Sequence, residues 1–415
     1  MTLGSAAARA LCKRVLAEAS FGDVRVHVKS AAKGDLRFAA SRPTTSNDVE
    51  RVDITVTASK DGRHASATGN RVDAAGLREL VQRAEAMALL APVDPEAMPP
   101  LGRVAVPRAV ARDRKVGAMT PPERAALVGA VLDVGKAKGL EMSGYLEHAD
   151  LSEAFADRAG LFAYFDRTQL RLTCTARTPD GTGSSKAGFA SHSRAGLSAK
   201  ALAEQACDTA LKSREPRPLP AGRYTVVLLP DAVAELLDFM VGAMGARPAS
   251  EGRSFFAKKG EPGVTRIGET MFDPRVELRS DPTDRKNPAE PLAEDGRPHP
   301  KVTWVDRGVL RALHTTRFFA ADKGMPSIPR PSSIHMAGED VAVDALIAKV
   351  DKGVLVTRLW YNRMLDPRGI VATGLTRDGT FWIEGGKIAH SVKNLRYNDG
   401  PITLLTKLRA LGRPQ

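Results

Sequence analysis

Two stretches of the chain repeat one order of apolar and polar positions. DITVTASKDGRHASATGNRVDAAGLRELVQRAEAMA begins at Asp53, and LRLTCTARTPDGTGSSKAGFASHSRAGLSAKALAEQACDTA begins at Leu170. In each, alternating apolar residues (Ile54 and Val56; Leu172 and Cys174) give the period of two expected of a half-buried strand. Both strands run into an Asp-Gly pair, Asp61-Gly62 or Asp180-Gly181, which suits a hairpin turn. A strand of small residues follows, and Gly76-Leu77 or Gly196-Leu197 then opens a long helix. The pattern predicts hairpin-plus-helix units at residues 50–90 and 168–212. A sheet and helices with one apolar face each bury them against one another, which makes this an α+β fold with the sheet covered by helices.

The opening MTLGSAAARALCKRVLAEAS reads as an amphipathic helix, because Arg9, Lys13 and Arg14 interrupt any signal-like apolar run. PPERAALVGAVLDVGKAKG predicts another, with Pro121 or Pro122 in its first turn. The proline-rich APVDPEAMPPLGRVAVPRAV reads as a surface linker, and a second proline cluster, REPRPLPAGR, divides an N-terminal domain (1–215) from a C-terminal one (220–415). Beyond it, YTVVLLP is a continuous apolar strand. AELLDFMVGAM then places Leu236, Leu237, Met240, Val241 and Met244 on one helical face, together with the preceding Val233. Gly242 sits badly there, since glycine costs about 1 kcal/mol against alanine in a helix. Either it survives from a functional helix, or it lets a neighbouring strand approach. The later segments KVTWVDRGVLRALH, VLVTRLWYNRMLDP and GTFWIEGGKIAHSV are strand-like, with turns at Asp306–Gly308 and Glu384–Lys387. The C-terminal domain is thus expected to be mainly β, with one strand-helix element.

Composition narrows the function. The longest apolar runs fall far short of a membrane span, and a cytoplasmic protein is expected. Cys12, Cys174 and Cys207 are odd in number and widely spaced, fitting neither a disulfide framework nor a CxxC metal site. The net charge of +13 comes mostly from single arginines interleaved with Asp and Glu, so a solvated surface is favoured over a nucleic-acid stripe.

Several segments, in this order, resemble the TldD/PmbA family of metalloproteases, once described as modulators of DNA gyrase. They are TVVLLPDAVAELLDFMVGAM, EGRSFFAKKGEPGVTRIGETMFDPR, VLVTRLWYNRMLDP and TGLTRDGTFWIEGGKIAHSVKNLRYND. In active members the first segment carries HExxxH, two histidine ligands and a glutamate base, and a later cysteine completes the zinc site. Such a site leaves one position for a water that attacks the peptide carbonyl. The resemblance puts Asp238 and Ala243 at the histidine positions and Phe239 at the glutamate. No histidine lies between His192 and His299, and no cysteine follows Cys207. The implied site is degenerate, as in the PmbA/TldE-like type.

The resemblance thus implies a non-catalytic, zinc-free subunit of a peptidase assembly. It would form a homodimer, or a heterodimer with an HExxxH-bearing subunit, and bind unfolded, extended peptide. Candidate peptide contacts are Arg253, Ser254, Arg358, Trp360, Tyr361 and Asn362. The plainer expectations are that Ser254 ends a turn and that Trp360 is buried in its sheet. The alternatives are an active metallopeptidase with zinc on ligands rebuilt from His299, His314, His335 and His390 plus carboxylates such as Asp238, or on ligands supplied by a partner; a hydrolase of another kind; or nucleic-acid association. GTGSSKAG (181–188) lacks the full phosphate-loop pattern and reads as a hairpin turn.

Overall fold

The computed structural model describes residues 2–415. Helix α1 (Ser5–Ala17) is followed by strands β1 (Asp23–Ala39), β2 (Arg42–Lys60) and β3 (Arg63–Gly69), and helix α2 (Ala74–Leu90) closes the unit. After an irregular stretch and the single turn α3 (Arg114–Gly117), the order returns as α4 (Pro121–Lys138), β4 (Glu141–Asp157), β5 (Phe162–Arg177), β6 (Ser184–Ser191) and α5 (Ala199–Lys212). All six strands form one antiparallel sheet in the order β3-β2-β1-β4-β5-β6, symmetric about the central β1–β4 pair. The hairpin-plus-helix units are present, but the repeat is larger than the sequence pattern shows. Each copy also owns a preceding helix and a central strand.

Those central strands escape a simple periodicity reading because each serves two cores. Val24, Val26 and Val28 of β1 lie beneath α1 and α2, whereas Leu36 and Phe38 of the same strand lie beneath α4 and α5. Between them runs a buried polar belt. Arg124 of α4 is fully buried and donates to both carboxylate oxygens of Asp48, at 2.8 and 2.7 Å, while its Nη1 lies 3.0 Å from His148 Nε2. A buried guanidinium is tolerable only when paired in this way. The pairing runs over Gly34, where a Cβ would fall 2.2 Å from Arg124 Nη1 and 2.3 Å from His148 Nε2.

Local chemistry sets the boundaries. Asp61 and Gly62, at φ 51° and 73°, make the β2–β3 turn. The Asp73 carboxylate accepts from the Gly76 N–H (2.9 Å), so α2 starts ahead of the expected Gly-Leu step; Ser198 caps α5 similarly. The proline-rich linker does not simply cross the surface. Val104 and Val106 pack on a cluster with Phe155 and Leu161, and Glu96 pairs with Arg247 (2.6 Å) of the second half.

The second half comprises β7 (Thr225–Leu228), α6 (Pro230–Ala243), α7 (Ala246–Ser250), β8 (Leu278–Ser280), β9 (Val302–Asp306), β10 (Val309–Leu310) and α8 (Arg317–Lys323). Then follow β11 (His335–Met336), α9 (Val343–Ile347), β12 (Lys352–Asp366), β13 (Val371–Glu384), β14 (Lys387–Ser391), β15 (Arg396–Asp399) and α10 (Pro401–Thr406). One sheet has the order β14-β13-β12-β7, with β15 also on β13; the other is β10-β9-β8-β11. Helix α6 sets Ala232 and Leu236 against Val354, Val356 and Leu359 of β12. One turn on, Met240 and Met244 enter a separate core around Trp304 and Phe256. Among the described residues no helix is long and apolar enough to cross a membrane.

Replacing Gly34 with alanine should push the Arg124 guanidinium off Asp48 and leave a buried charge poorly paired. A loss of about 3 kcal/mol is expected, by analogy with breaking a buried ion pair, and urea denaturation would measure it.

Candidate functional site

Pro230 fixes the first turn of α6 directly after β7, which points the helix across β12. Glu235, on this helix, is half-buried and accepts a short hydrogen bond from the Asn362 amide of β12. Asn362 Oδ1 in turn accepts from the Tyr397 hydroxyl at 2.7 Å. Gly374 makes room for this chain, since a Cβ there would lie 2.2 Å from Asn362 Oδ1. Burial raises Glu235 above the ordinary carboxylate range, against the opposing pull of Asn362, Arg358 and Lys186. Tyr397 is pushed up to about 12 by burial and by the Glu235 charge.

Next to it, the two halves of the chain are tied by a carboxylate. Asp378 is buried, at φ 59°, and its oxygens accept from Arg358 of β12 (3.0 Å) and from the Ser184 hydroxyl of β6 (2.8 Å). The β12–β13 register shifts between Val356 and Arg358, and Thr357 Oγ1 lies within hydrogen-bond distance of the Arg377 and Gly379 carbonyls. Such a bulge re-aims the side chains beside it. Lys186, two residues beyond Ser184 on the same strand face, is partly buried and forms no ion pair or hydrogen bond among the described residues. Burial, then Arg358 and Arg171, lower its pKa. A carboxyl moved up and an ammonium moved down in one cluster is the pattern of groups held for binding or proton transfer.

A second register shift, between Trp360 and Arg363, accompanies Tyr361 at φ 56°. Trp360 is 39% exposed and Tyr361 58%, which overturns the expectation that Trp360 is buried in the sheet core. The first bulge, at Thr357, puts Leu359 rather than Trp360 on the buried face with Val354 and Val356, which breaks the in–out alternation on which that expectation rested. The rings lie 5.5 Å apart, with the Arg377 guanidinium 4.1 Å from the Trp360 centroid and that of Arg363 4.5 Å from Tyr361. Met364 and Leu365, also exposed, extend the apolar strip.

Of the remaining expected contacts, Ser254 ends a turn, its hydroxyl accepting from the Phe256 N–H (3.2 Å) and lying 3.3 Å from the Ala243 carbonyl at the end of α6. Arg253 is exposed and pairs with its neighbour Glu251. Among the described residues no hydrogen bond or ion pair joins Arg253 to the Arg358 cluster. Glu235, Lys186, Ser184, Asp378 and Tyr397 were not singled out in the sequence. For Lys186 and Ser184 the signal was their period-two spacing inside the segment read only as a turn.

On α6 itself Asp238 is exposed, while Phe239 and Ala243 are partly buried against the Trp304 core. Among the described residues no three His, Cys, Asp or Glu side chains converge in a way that could hold a metal. Of the four histidines considered as rebuilt ligands, only His314 meets the end of this helix, its N–H donating to the Met244 carbonyl (2.9 Å). Its Nε2 is buried without a partner, and burial, Arg330 and Arg297 drive its pKa down to about 4. A zinc dication would face two guanidinium groups there, so the residues present do not fit the metal. His335 lies 3.6 Å from Asp284, His390 Nδ1 lies 3.0 Å from the Ser391 carbonyl, and His299 is buried beside Arg297.

Gly242 is exposed, and only the Arg330 guanidinium (3.7 Å) would meet a Cβ there. No strand packs closely on it, so that explanation falls.

The chain is thus an α+β protein in which two symmetric hairpin units precede a β-rich half with a strand-helix element beside a polar cluster. Residues 221–415 match the profile of the PmbA/TldA metallopeptidase C-terminal domain and residues 33–88 that of PmbA/TldA metallopeptidase domain 1. Together these cover more than half of the chain, which belongs to the PmbA/TldD family. No curated protein matches it significantly in sequence. Among solved structures, TldE from Thermococcus kodakarensis superimposes with a TM-score of 0.85 at 14% identity, covering 98% of this chain and 94% of its own. Two proteins titled as modulators of DNA gyrase are similar in the same way. The one from Bacteroides thetaiotaomicron gives 0.84 at 19% identity (98% and 92% covered), and that from Thermotoga maritima 0.82 at 17% (98% and 95%). At these identities the likeness establishes a shared fold.

Two outcomes follow from this geometry. Gly242→Ala should stabilise the fold by up to about 1 kcal/mol in a denaturant titration, because nothing blocks the added methyl. His314 stays neutral in the folded chain down to about pH 4, whereas the unfolded chain takes up that proton near 6.5. The unfolded state therefore binds more protons between those values, and stability falls as pH drops through them, by up to about 3 kcal/mol at 1.36 kcal/mol per pKa unit. In thermal melts across this range, His314→Leu should flatten the decline.

Proposed function

We propose that this chain is the non-catalytic, metal-free subunit of a peptidase assembly and that it holds an extended peptide beside α6. The observation that carries the reading is the exposed Trp360–Tyr361 pair, stacked under Arg377 and Arg363 and continuous along β12 with the Arg358–Asn362–Glu235 cluster. Aromatic rings with charged handles are the groups that dominate peptide and protein interfaces. Polar groups recessed beside them would take backbone amides or a charged side chain. The motif positions Asp238, Phe239 and Ala243, with a cation-flanked histidine as the nearest imidazole, support a role without zinc chemistry. Family membership supports assembly with a second subunit, either a copy of this chain or a relative bearing HExxxH.

Titration of a fluorescent unstructured peptide by anisotropy tests the reading. Trp360→Ala should weaken binding by about 30-fold, the scale of a hot-spot tryptophan, while circular dichroism stays unchanged. Metal analysis of the purified protein should find no stoichiometric zinc. Tightly held zinc, or an affinity indifferent to Trp360, would overturn the proposal.

A further inference from the structure

A cleft opens where the proline-rich linker meets the C-terminal half, and no residue of the aromatic strip lines it. Its volume is about 540 Å³, within the range of ligand sites. Met98 and Leu101 of the linker form one wall, and Ala321 and Met325, in and just after α8, form another. Into this apolar lining come two cations, Arg297 and Arg317. Arg297 is 8% exposed and is held by Asp295 (2.8 Å) and the Ser327 hydroxyl (3.0 Å), while its Nη2 makes no hydrogen bond among the described residues. Among the described residues Arg317 has no ion pair. Its Nη2 donates to the Pro99 carbonyl (2.5 Å). The charges around Arg317 are Asp295, already engaged by Arg297, together with Arg297 itself, Arg25 and Asp23. Burial and the neighbouring arginines outweigh the carboxylates, lowering its pKa. A partly buried guanidinium without a counter-ion, in an apolar cleft, is left short of one anionic partner.

We infer that this cleft binds the C-terminal residue of a peptide, its carboxylate on Arg317 and Arg297 and its apolar side chain between the linker and α8. Charge complementarity selects a carboxylate, since Arg presents paired donors that match its two oxygens. The apolar walls select a large apolar side chain over a bare anion. The position is consistent with this use: Arg297, which lines the cleft, is also one of the two cations felt by His314 at the end of α6. A chain anchored here by its terminus would thus be held near the helix. The choice of a peptide as occupant rests on the proposed function; the preference for an apolar carboxylate rests on the cleft alone.

The test uses the full chain and two small probes, N-acetyl-L-phenylalanine and its amide, titrated by NMR or calorimetry. The acid should bind at least tenfold more tightly than the amide. Arg317→Gln should abolish that preference. Because Arg317 also holds the linker, Ala321→Trp serves as a second variant, filling the exposed side of the cleft while keeping both arginines; it should block the acid as well. Equal binding of acid and amide, no binding of the acid at millimolar concentration, or an acid preference that survives both variants would overturn the inference. A peptide with an amidated C-terminus separates the two proposals. If it binds in a Trp360-dependent manner while the acid preference is absent, the cleft inference fails and the functional reading stands. If the acid preference holds but Trp360 is irrelevant, the reverse is true.

Discussion

A carboxylate buried where two halves of a chain meet must be fully partnered, and Asp378 supplies the constraint on which the rest of this site depends. It receives Arg358 from its own sheet and Ser184 from the long antiparallel sheet of the first half. Leaving a charge of this kind unpaired costs several kcal/mol, so the contact fixes more than two side chains. It sets β6 against β13 and brings Lys186 toward α6. The positive φ at Asp378 and the bulge opposite it belong to the same device. Backbone irregularity is tolerated here because the ion pair, the Ser184 hydroxyl and Thr357 hold it in place.

Helix α6 is held in a different way. Ala232 and Leu236 bury against β12, and Met240 and Met244 fill the Trp304 core, each large side chain contributing roughly 2 kcal/mol. Asp238 faces solvent and takes no part in either contact. Phe239 and Ala243 touch the core only at its margin. The placement of the helix is therefore insensitive to which side chain stands at position 238, and only weakly sensitive at 239 and 243. That separation lets the framework keep its shape whatever chemistry those positions carry.

Much of the fold was legible because its cause is local. Asp61-Gly62 needs left-handed backbone, Ile54 and Val56 alternate over a single core, and Pro121 marks a first helical turn. The repeat was seen in part only, since β1 and β4 each cross two cores through a polar belt, and Arg124, His148 and Gly34 have meaning only together. The site was less legible. Arg358 and Asn362 were recognised from their neighbours in sequence, but their partners are far away: Asn362 meets Glu235 on a helix, and Arg358 meets a carboxylate that also binds the first half. Trp360 was misplaced because period two fails at the bulge around Thr357, which no residue in VLVTRLW announces.

The pKa pattern at this junction bears on what the cluster can do. Glu235 is raised chiefly by burial and Lys186 lowered chiefly by burial, so each group is moved toward its neutral form. The shifts record a desolvation penalty that the charged forms already bear, and a bound peptide would desolvate both groups further. Arg358 differs, because Asp378 already compensates its charge and holds its direction. The cluster thus combines one fixed, paired cation with two partly buried titratable groups, Glu235 from the second half of the chain and Lys186 from the first.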